Sequence, residues 1–541
     1  MKNLGSIKRN DDILTKKYYD RVVNQIPTGT AEGDSITIND SSDLPIKDVV
    51  IKGKTEQETY EGYNLAKINE SDYTLTDNNT IKNNAKNEGK RLLAETITLK
   101  AGTTYYFNFY LLSKPTKDTS FTSYFNNVAD NSKVNLIQFH WYNTKQLYTR
   151  TYTPEVDEEY QAIQYGNANS EIFEFQFWVT TDNSKTTYEK YVGGQPAPNP
   201  DYPQDIHRVT GNCSVKKTGK NLFSIGNNGT WTDKGLTFTK ENEILKIVGT
   251  ATASYQGCYM SLGNMTLDDN YKFFTIITGA SSGVSPKLAY TRDGSDKYPT
   301  LYNGHESLQS GDILKQSYII IANGSTVDCT IKFQLEKGTS VTEWEPYKGI
   351  IYPLTLGNIE LCKIGTYEDC IYKNDDKWYL YKNIGKVVLD GTEDGWGSYE
   401  QNSVVNFYNN SLITFRTQQG YCDKFIVSNN TSYVANKLAI FSTLVGFGIY
   451  LLSSNINNLT DFKNWLSNNN VTLYYILATP TTTEITDTTL TNQLEALINA
   501  ETYKNITHID TTGEDLAPNV QVVYRKDLET VLNNLLSLIL A

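Results

Sequence analysis

Three pairs of neighbouring carboxylates come nearest to acid–base chemistry by type and spacing: Glu343 and Glu345, Glu368 and Asp369, Glu393 and Asp394. Carboxylate pairs cleave glycosidic bonds when they stand roughly 5–9.5 Å apart across a sugar, in environments that separate their pKa values. These acids sit in turn-like stretches that supply no such environments. The four histidines, His140, His207, His305 and His508, are scattered singly and offer no zinc-ligand spacing. Phosphate-cradling G-x-x-x-x-G-K-S/T and nucleophile-elbow G-x-S-x-G patterns are absent. Six cysteines, none in a C-x-x-C pair, read as buried reduced thiols. Asp375-Asp376 reads as a solvated turn, with calcium as the alternative. The expectation is a protein that is not an enzyme and has no metal or cofactor.

The remaining chemistry is aromatic, for the chain holds 39 Tyr, 19 Phe and 7 Trp. Aromatic faces stack on pyranose rings, and binding contacts favour loops over recurring framework phrases. Trp141, Tyr142, Trp231, Tyr255, Tyr259, Trp396 and Tyr399 are therefore the candidate glycan-binding residues, with core or interface packing as the competing reading.

Two recurring phrases organise the elements that must carry these residues. Thr186-x-Tyr188-Glu189-x-Tyr191-x-Gly193 and Thr342-x-Trp344-Glu345-x-Tyr347-x-Gly349 lie 342 − 186 = 156 residues apart. Each follows an alternating strand-like run, and each unit opens on a similar phrase, Tyr63-Asn64-Leu65 or Lys220-Asn221-Leu222. A repeat of about 140 residues is the size of a domain, not of a solenoid unit. Tyr188, Glu189, Tyr191, Trp344, Glu345 and Tyr347 are read as structural signature residues closing each unit.

Tyr, Thr, Ile and Val favour strands, Asn, Gly and Asp the turns between them, and short alternating runs with regular turn signals suggest sandwiches. The expected fold is mainly β: tandem β-sandwich (jelly-roll) domains with short N- and C-terminal helices. The expected divisions are an attachment helix and linker (1–48), sandwich 1 (49–194), a stiff Pro-rich spacer (195–210) and sandwich 2 (211–350). A connector hairpin (351–385), a third β domain (386–480) and a helix-strand-helix tail (481–541) follow. A helix capped by Thr460 is expected within the third domain. Tyr18 and Val22 on the first helix, and Leu528, Val531, Leu535 and Leu538 on the last, form apolar stripes suited to self-association. The balance of 49 Lys and Arg against 61 Asp and Glu, net −12, disfavours nucleic acid, which needs a basic footprint. No cleavable leader or membrane-inserting helix is expected; the apolar run 438–452 reads as two strands.

Several phrases resemble virion proteins of tailed phages of low-GC Gram-positive bacteria, a family of tail fibre and minor structural (receptor-binding) proteins. They are Pro198-Asn-Pro-Asp-Tyr-Pro-Gln-Asp205, Thr218-Gly-Lys-Asn-Leu-Phe223, Gln334-Leu-Glu-Lys-Gly338 with Thr342-Glu-Trp-Glu-Pro-Tyr347, Ile384-Gly-Lys-Val-Val-Leu-Asp-Gly391, and Asp461-Phe-Lys-Asn-Trp-Leu466 running to Pro480. The resemblance implies carbohydrate-binding-module-like sandwiches on an oligomeric, often trimeric, virion appendage. Its partners would be host cell-surface polysaccharide and, through a terminal helix, other virion proteins. The alternatives are a non-adhesive head fibre, baseplate or collar component, and a cell-wall glycan depolymerase.

Overall fold

Alternating apolar residues near the two ends of the chain, Ile36 and Ile38, Val49 and Ile51, Ile509, Val520 and Val522, are all buried in one shared core. The computed structural model describes residues 26–76, 80–83, 90–113, 120–125, 136–140, 144–164, 174–195, 197–428, 434–441 and 446–528. Strand Asn519–Arg525 lies between Thr28–Gly33 and Asp48–Lys52, with Val522 opposite both Ala31 and Val49. Strand Asn505–Gly513 lies between Ser35–Ser41 and Asn212–Thr218, with Ile509 opposite Ile36 and Lys217. Stretches 28–48 and 505–525, expected as linker and tail, are thus paired strands of one β body, the first supplying edge strands and the second the strands beside them.

Among the described residues, beside the two-stranded pairs Thr55–Gln57 with Ile206–Arg208 and Lys363–Ile364 with Tyr367–Glu368, two large sheets frame that body. One has four strands in the order Ser35–Ser41, Asn505–Gly513, Asn212–Thr218, Gly349–Thr355. The other has seven: Thr28–Gly33, Asn519–Arg525, Asp48–Lys52, Cys370–Asn374, Lys377–Leu389, Val471–Glu484, Phe415–Cys422. Helix Thr488–Ile498 adds Leu490, Leu494 and Leu497 to the core. Asp487 caps it by accepting from the Thr489 and Leu490 N–H groups. The expected hairpin is present, with Asp375 in the left-handed region at φ 52°.

Asp369, fully buried, joins the pieces of the seven-stranded sheet. Its carboxylate accepts from the N–H groups of Cys362 (2.9 Å), Asn383 (2.7 Å) and Ile384 (2.9 Å), and from Lys382 Nζ (2.5 Å). Beside it the sheet slips register: Lys382 faces Thr481 while Ile384 faces Ile476. Pro480 falls in this bulge, where no ladder donor is needed, so strand Val471–Glu484 continues past it.

Three units are inserted into the body. The first pairs 147–152, 105–111, 174–180, 81–83 and 73–75 in one sheet, and 136–140, 120–125, 158–164 and 90–91, with 97–99, in another. Residues 105, 107, 109, 175, 177 and 179 belong to its core. The second has a six-stranded and a four-stranded sheet around Phe238, Phe273, Phe333 and their neighbours. The third has a five-stranded sheet and helix Leu459–Asn468, closed by the far ends of Lys377–Leu389 and Val471–Glu484. Asn458, not Thr460, caps that helix, because its side chain reaches the Asp461 N–H (2.9 Å). The Pro-rich stretch is no extended spacer: the Asn199 side chain accepts from the Asp201 and Tyr202 N–H groups and turns the chain back.

A buried asparagine closes each of the first two units and accounts for the repeated phrases. Asn221 donates to Phe333 O (3.0 Å) and Glu345 O (2.9 Å), and accepts from the N–H groups of Phe223 (3.0 Å) and Leu335 (3.1 Å). Asn64 likewise donates to Glu189 O (2.8 Å) and accepts from the N–H groups of Ala66 (2.8 Å) and Val179 (3.2 Å). Gln334 and Glu336 also hold the second closing loop, through Glu345 N–H (2.7 Å) and Thr342 N–H (2.7 Å). Trp178 takes the place of Gln334 in the first unit, donating to Lys185 O (3.0 Å) and meeting Tyr188 edge-on. In both units the second aromatic residue of the phrase, Tyr191 or Tyr347, lies over the glycine two residues on, where a Cβ would meet its ring.

The helix expected over Tyr18 and Val22, and positions Val531, Leu535 and Leu538, lie outside the described residues. Leu528 is described and is 46% exposed.

Asn221→Ala strands two carbonyls and two N–H groups at the mouth of the second core, and should destabilise that unit by roughly 3 kcal/mol or more. Hydrogen exchange should show the loss confined to residues 219–348; an unchanged unfolding profile would refute the clip. A second expectation concerns His207, whose Nδ1 lies 2.5 Å from Asp515 Oδ1 and whose Nε2 lies 3.3 Å from Glu58 Oε1, with Arg208 4.0 Å from Asp515. The Asp515 hydrogen bond holds the imidazole pKa above its ordinary value. A raised folded pKa stabilises fully below the unfolded value and is lost as pH rises through the folded one. The stability advantage of the native chain over His207→Gln should therefore shrink as pH rises from about 6.5 upward; a pH-independent difference in melting temperature would contradict it.

Candidate glycan-binding surface

The aromatic candidates separate by burial. Tyr255 is 4% exposed and stacks on Phe238 (4.6 Å, 29°), so it is core and offers no ring to a ligand. Trp231 stacks on the same Phe238 ring, at 5.1 Å and 9°, with Lys240 Nζ 5.9 Å from its own ring. Trp396 meets Phe447 and Phe462 edge-on and donates to Glu393 Oε2 (3.2 Å). Both tryptophans are half-buried seals of a core. Trp141 and Tyr142 lie outside the described residues. Tyr259 and Tyr399 are exposed, at 53% and 58%. Tyr399 stands on the edge strand Trp396–Gln401.

Tyr259 is exposed and is also brought beside further rings. In strand Tyr255–Thr266, period two would point residues 255, 257 and 259 to the same, inner face. Cys258 takes a left-handed φ of 51°, and three steps from Gly257 to Met260 face two steps from Ile319 to Ser317. This β-bulge sends Met260 inward and Tyr259 out. Tyr259 then lies 5.6 Å from Tyr318 of strand Ile313–Ile321, which is only 7% exposed and backs the neighbouring ring without offering its own face to a ligand.

Tyr298 reaches the same face from the adjoining hairpin. Asp293 and Gly294, both at positive φ, turn strand Val284–Arg292 into Ser295–Lys297. Lys287, opposite Tyr318, donates to Thr300 Oγ1 (2.5 Å) and Tyr298 O (3.3 Å), which draws the returning chain over the sheet. Burial, then the neighbouring Tyr298 and Tyr259, raise the Tyr318 phenol pKa. Tyr298 is 54% exposed, and its hydroxyl donates to Asp296 Oδ2 (3.1 Å). Lys315 above all, with the Thr291 and Tyr298 hydroxyls, holds the Asp296 carboxyl down to about 2. The result is a face of tyrosine rings bordered by an ammonium group, an ionised carboxylate and hydroxyls. Rings of this kind stack on a sugar, and the bordering groups can hydrogen-bond its hydroxyls.

The signature residues and carboxylate pairs have other surroundings. Trp344 donates to Phe333 O (3.0 Å), has Lys332 Nζ 4.4 Å from its ring, and lines an open groove of about 530 Å³ with Phe274, Ile276 and Val341. Glu345 pairs with Lys220 (3.2 Å) and Glu368 with Lys52 and Lys363 (3.2 Å each). Glu393 accepts from the N–H groups of Asp390 and Gly391. All six cysteines are free thiols, and burial pushes those of Cys213, Cys258, Cys329, Cys362 and Cys370 up to about 11. Among the described residues no cluster of three His, Cys, Asp or Glu could hold a metal ion, and no helix is long and apolar enough to cross a membrane.

No protein-family model matches the chain, and no curated protein matches it in sequence. Among solved structures, the oxalate decarboxylase formate complex of Lactobacillus farciminis aligns at a TM-score of 0.11 and 10% identity, covering 60% of this chain and 89% of that one. The VP2 subviral particle of infectious bursal disease virus aligns at 0.09 and 9%, covering 96% and 92%. Similarities this low establish no common fold.

The burial contrast is measurable. Trp231→Ala and Trp396→Ala should each cost about 2–4 kcal/mol, whereas Tyr259→Ala and Tyr298→Ala should stay within about 0.5 kcal/mol in denaturant unfolding. A large cost at either tyrosine would mean that its ring is packed and not presented.

Proposed function

We propose that the protein is a phage virion fibre or tail structural component that attaches to host cell-surface glycan through its β-sandwich modules, without catalysis. One observation supports this reading: Tyr259 and Tyr298, each more than half exposed, flank the buried Tyr318 on one side of the second sandwich, with polar groups at their border. The phrases similar to phage fibre proteins add support, since several coincide with the loop clip at Gln334, Glu336 and Glu345 that shapes this sandwich. In this reading the chain works as a homo-oligomer, most simply a trimer, held to the particle by other virion proteins. Weak single contacts multiplied over several copies then raise apparent affinity roughly 10²–10⁴-fold.

The test is binding of the full chain to wall polysaccharide from low-GC Gram-positive bacteria, beside a Tyr259→Ala/Tyr298→Ala variant of unchanged stability. Binding by the native chain and a loss of at least about tenfold in the variant is the expected result, since each stacked ring contributes on the order of 1 kcal/mol. Equal binding by both would remove the platform from the function. No binding by either, with decoration of purified capsids or tails, would shift the role to a non-adhesive virion component.

A further inference from the structure

The chain enters the first inserted sandwich through residues 58–63 and returns to the body through 203–205. The two passes are tied by the Glu58 N–H donating to Asp205 O (3.1 Å). Between them lies an open cleft of about 350 Å³, lined by Glu58, Tyr60, Glu61, Tyr63, Lys185 and Asp205 among others. Its rings are set in place by the protein itself. Glu189 accepts from the Tyr60 hydroxyl (2.6 Å) and the Tyr63 N–H (3.1 Å), and the Tyr63 hydroxyl donates to Thr187 O (2.7 Å). Tyr202 lies 5.2 Å from Tyr60 and supports that ring from outside the cleft lining. Three of the four charged side chains in the lining are carboxylates. The fourth, Lys185, places its ammonium 5.5 Å from the Tyr63 ring centroid, so an internal cation already occupies a phenol face of the cleft.

We infer that this cleft binds an amino sugar, with the ligand ammonium over Tyr63 in place of Lys185. A ring face attracts an ammonium through its quadrupole, and carboxylates beside it strengthen the attraction. Lys185, Glu58, Glu61 and Asp205 are all exposed, so the lysine can swing away and the acids can turn toward the ligand. The volume exceeds what a lone ammonium needs and falls at the low end of the roughly 300–1,000 Å³ of small-molecule sites. Thr59, also in the lining and exposed, provides a polar partner for a sugar hydroxyl. The site shares no residue with the tyrosine face of the second sandwich, so either can fail while the other stands.

The experiment is calorimetric or NMR titration of the full chain with glucosamine, N-acetylglucosamine and glucose at about pH 6, where an amine is charged and carboxylates are ionised. Glucosamine should bind at least about tenfold more tightly than the two neutral sugars and should weaken as salt rises. Glu61→Gln, an exposed isosteric change, should weaken glucosamine several-fold and leave the neutral sugars unaffected; Tyr63→Ala should remove the preference. Equal affinity for charged and neutral sugars, no detectable glucosamine binding, or indifference to Glu61→Gln would each overturn the inference.

Discussion

The pairing of Asn519–Arg525 with both Thr28–Gly33 and Asp48–Lys52 is the constraint on which the structure depends. A strand taken up from both sides satisfies its N–H and C=O groups without solvent, and it buries Val520 and Val522 against residues nearly five hundred positions away. Because loop-closure entropy grows only with the logarithm of loop length, whole sandwiches can be inserted between such partners at modest thermodynamic cost. The cost is kinetic, since pairings this remote in sequence form slowly. The core of the body cannot close before its C-terminal strands exist.

Asp369 solves a local version of the same problem. Where strands Lys377–Leu389 and Val471–Glu484 slip register, backbone N–H groups lose their ladder partners. A buried carboxylate takes the N–H groups of Asn383 and Ile384, and Lys382 compensates its charge. Strand Lys377–Leu389 can therefore run on from the composite body into the third inserted unit, giving Trp378 to one core and Leu389 to the other, while Val471–Glu484 gives Val471, Leu473 and Tyr475 to the second. The asparagine clips do comparable work at the mouths of the two sandwiches, where Asn64 and Asn221 join an opening phrase to a closing phrase.

These arrangements free the outer faces. With closure delegated to Asn221, Gln334 and Glu336, the four-stranded sheet of the second sandwich needs no further anchoring and carries Tyr259, Tyr318 and Tyr298. With Glu189 tied to Tyr60 and Tyr63, the root of the first sandwich holds its rings apart around an acidic cleft. In both places aromatic surface stays open because hydrogen bonds elsewhere hold the fold.

The mainly β class, the two related sandwiches and the closing role of the repeated phrases were legible in the residues themselves. Side-chain period, turn composition and a 156-residue recurrence are local properties, and they survive whatever the chain does at long range. The helix at Leu490, Leu494 and Leu497 was legible for the same reason. What the sequence could not carry was partnership. Stretches 28–48 and 505–525 look like linker and tail because a strand's partner is set by long-range burial, which leaves no mark on its own spacing. Pro198 to Pro203 looked stiff until Asn199 turned it. Tyr255 and Tyr259, four residues apart and alike in type, end on opposite faces because one left-handed residue, Cys258, breaks the period between them. Tyr298 and Tyr318 carried no signal at all, since only the folded hairpin sets them beside Tyr259. Local periodicity determines which elements form; long-range pairing and single bulges decide which strands share a core and which rings meet solvent.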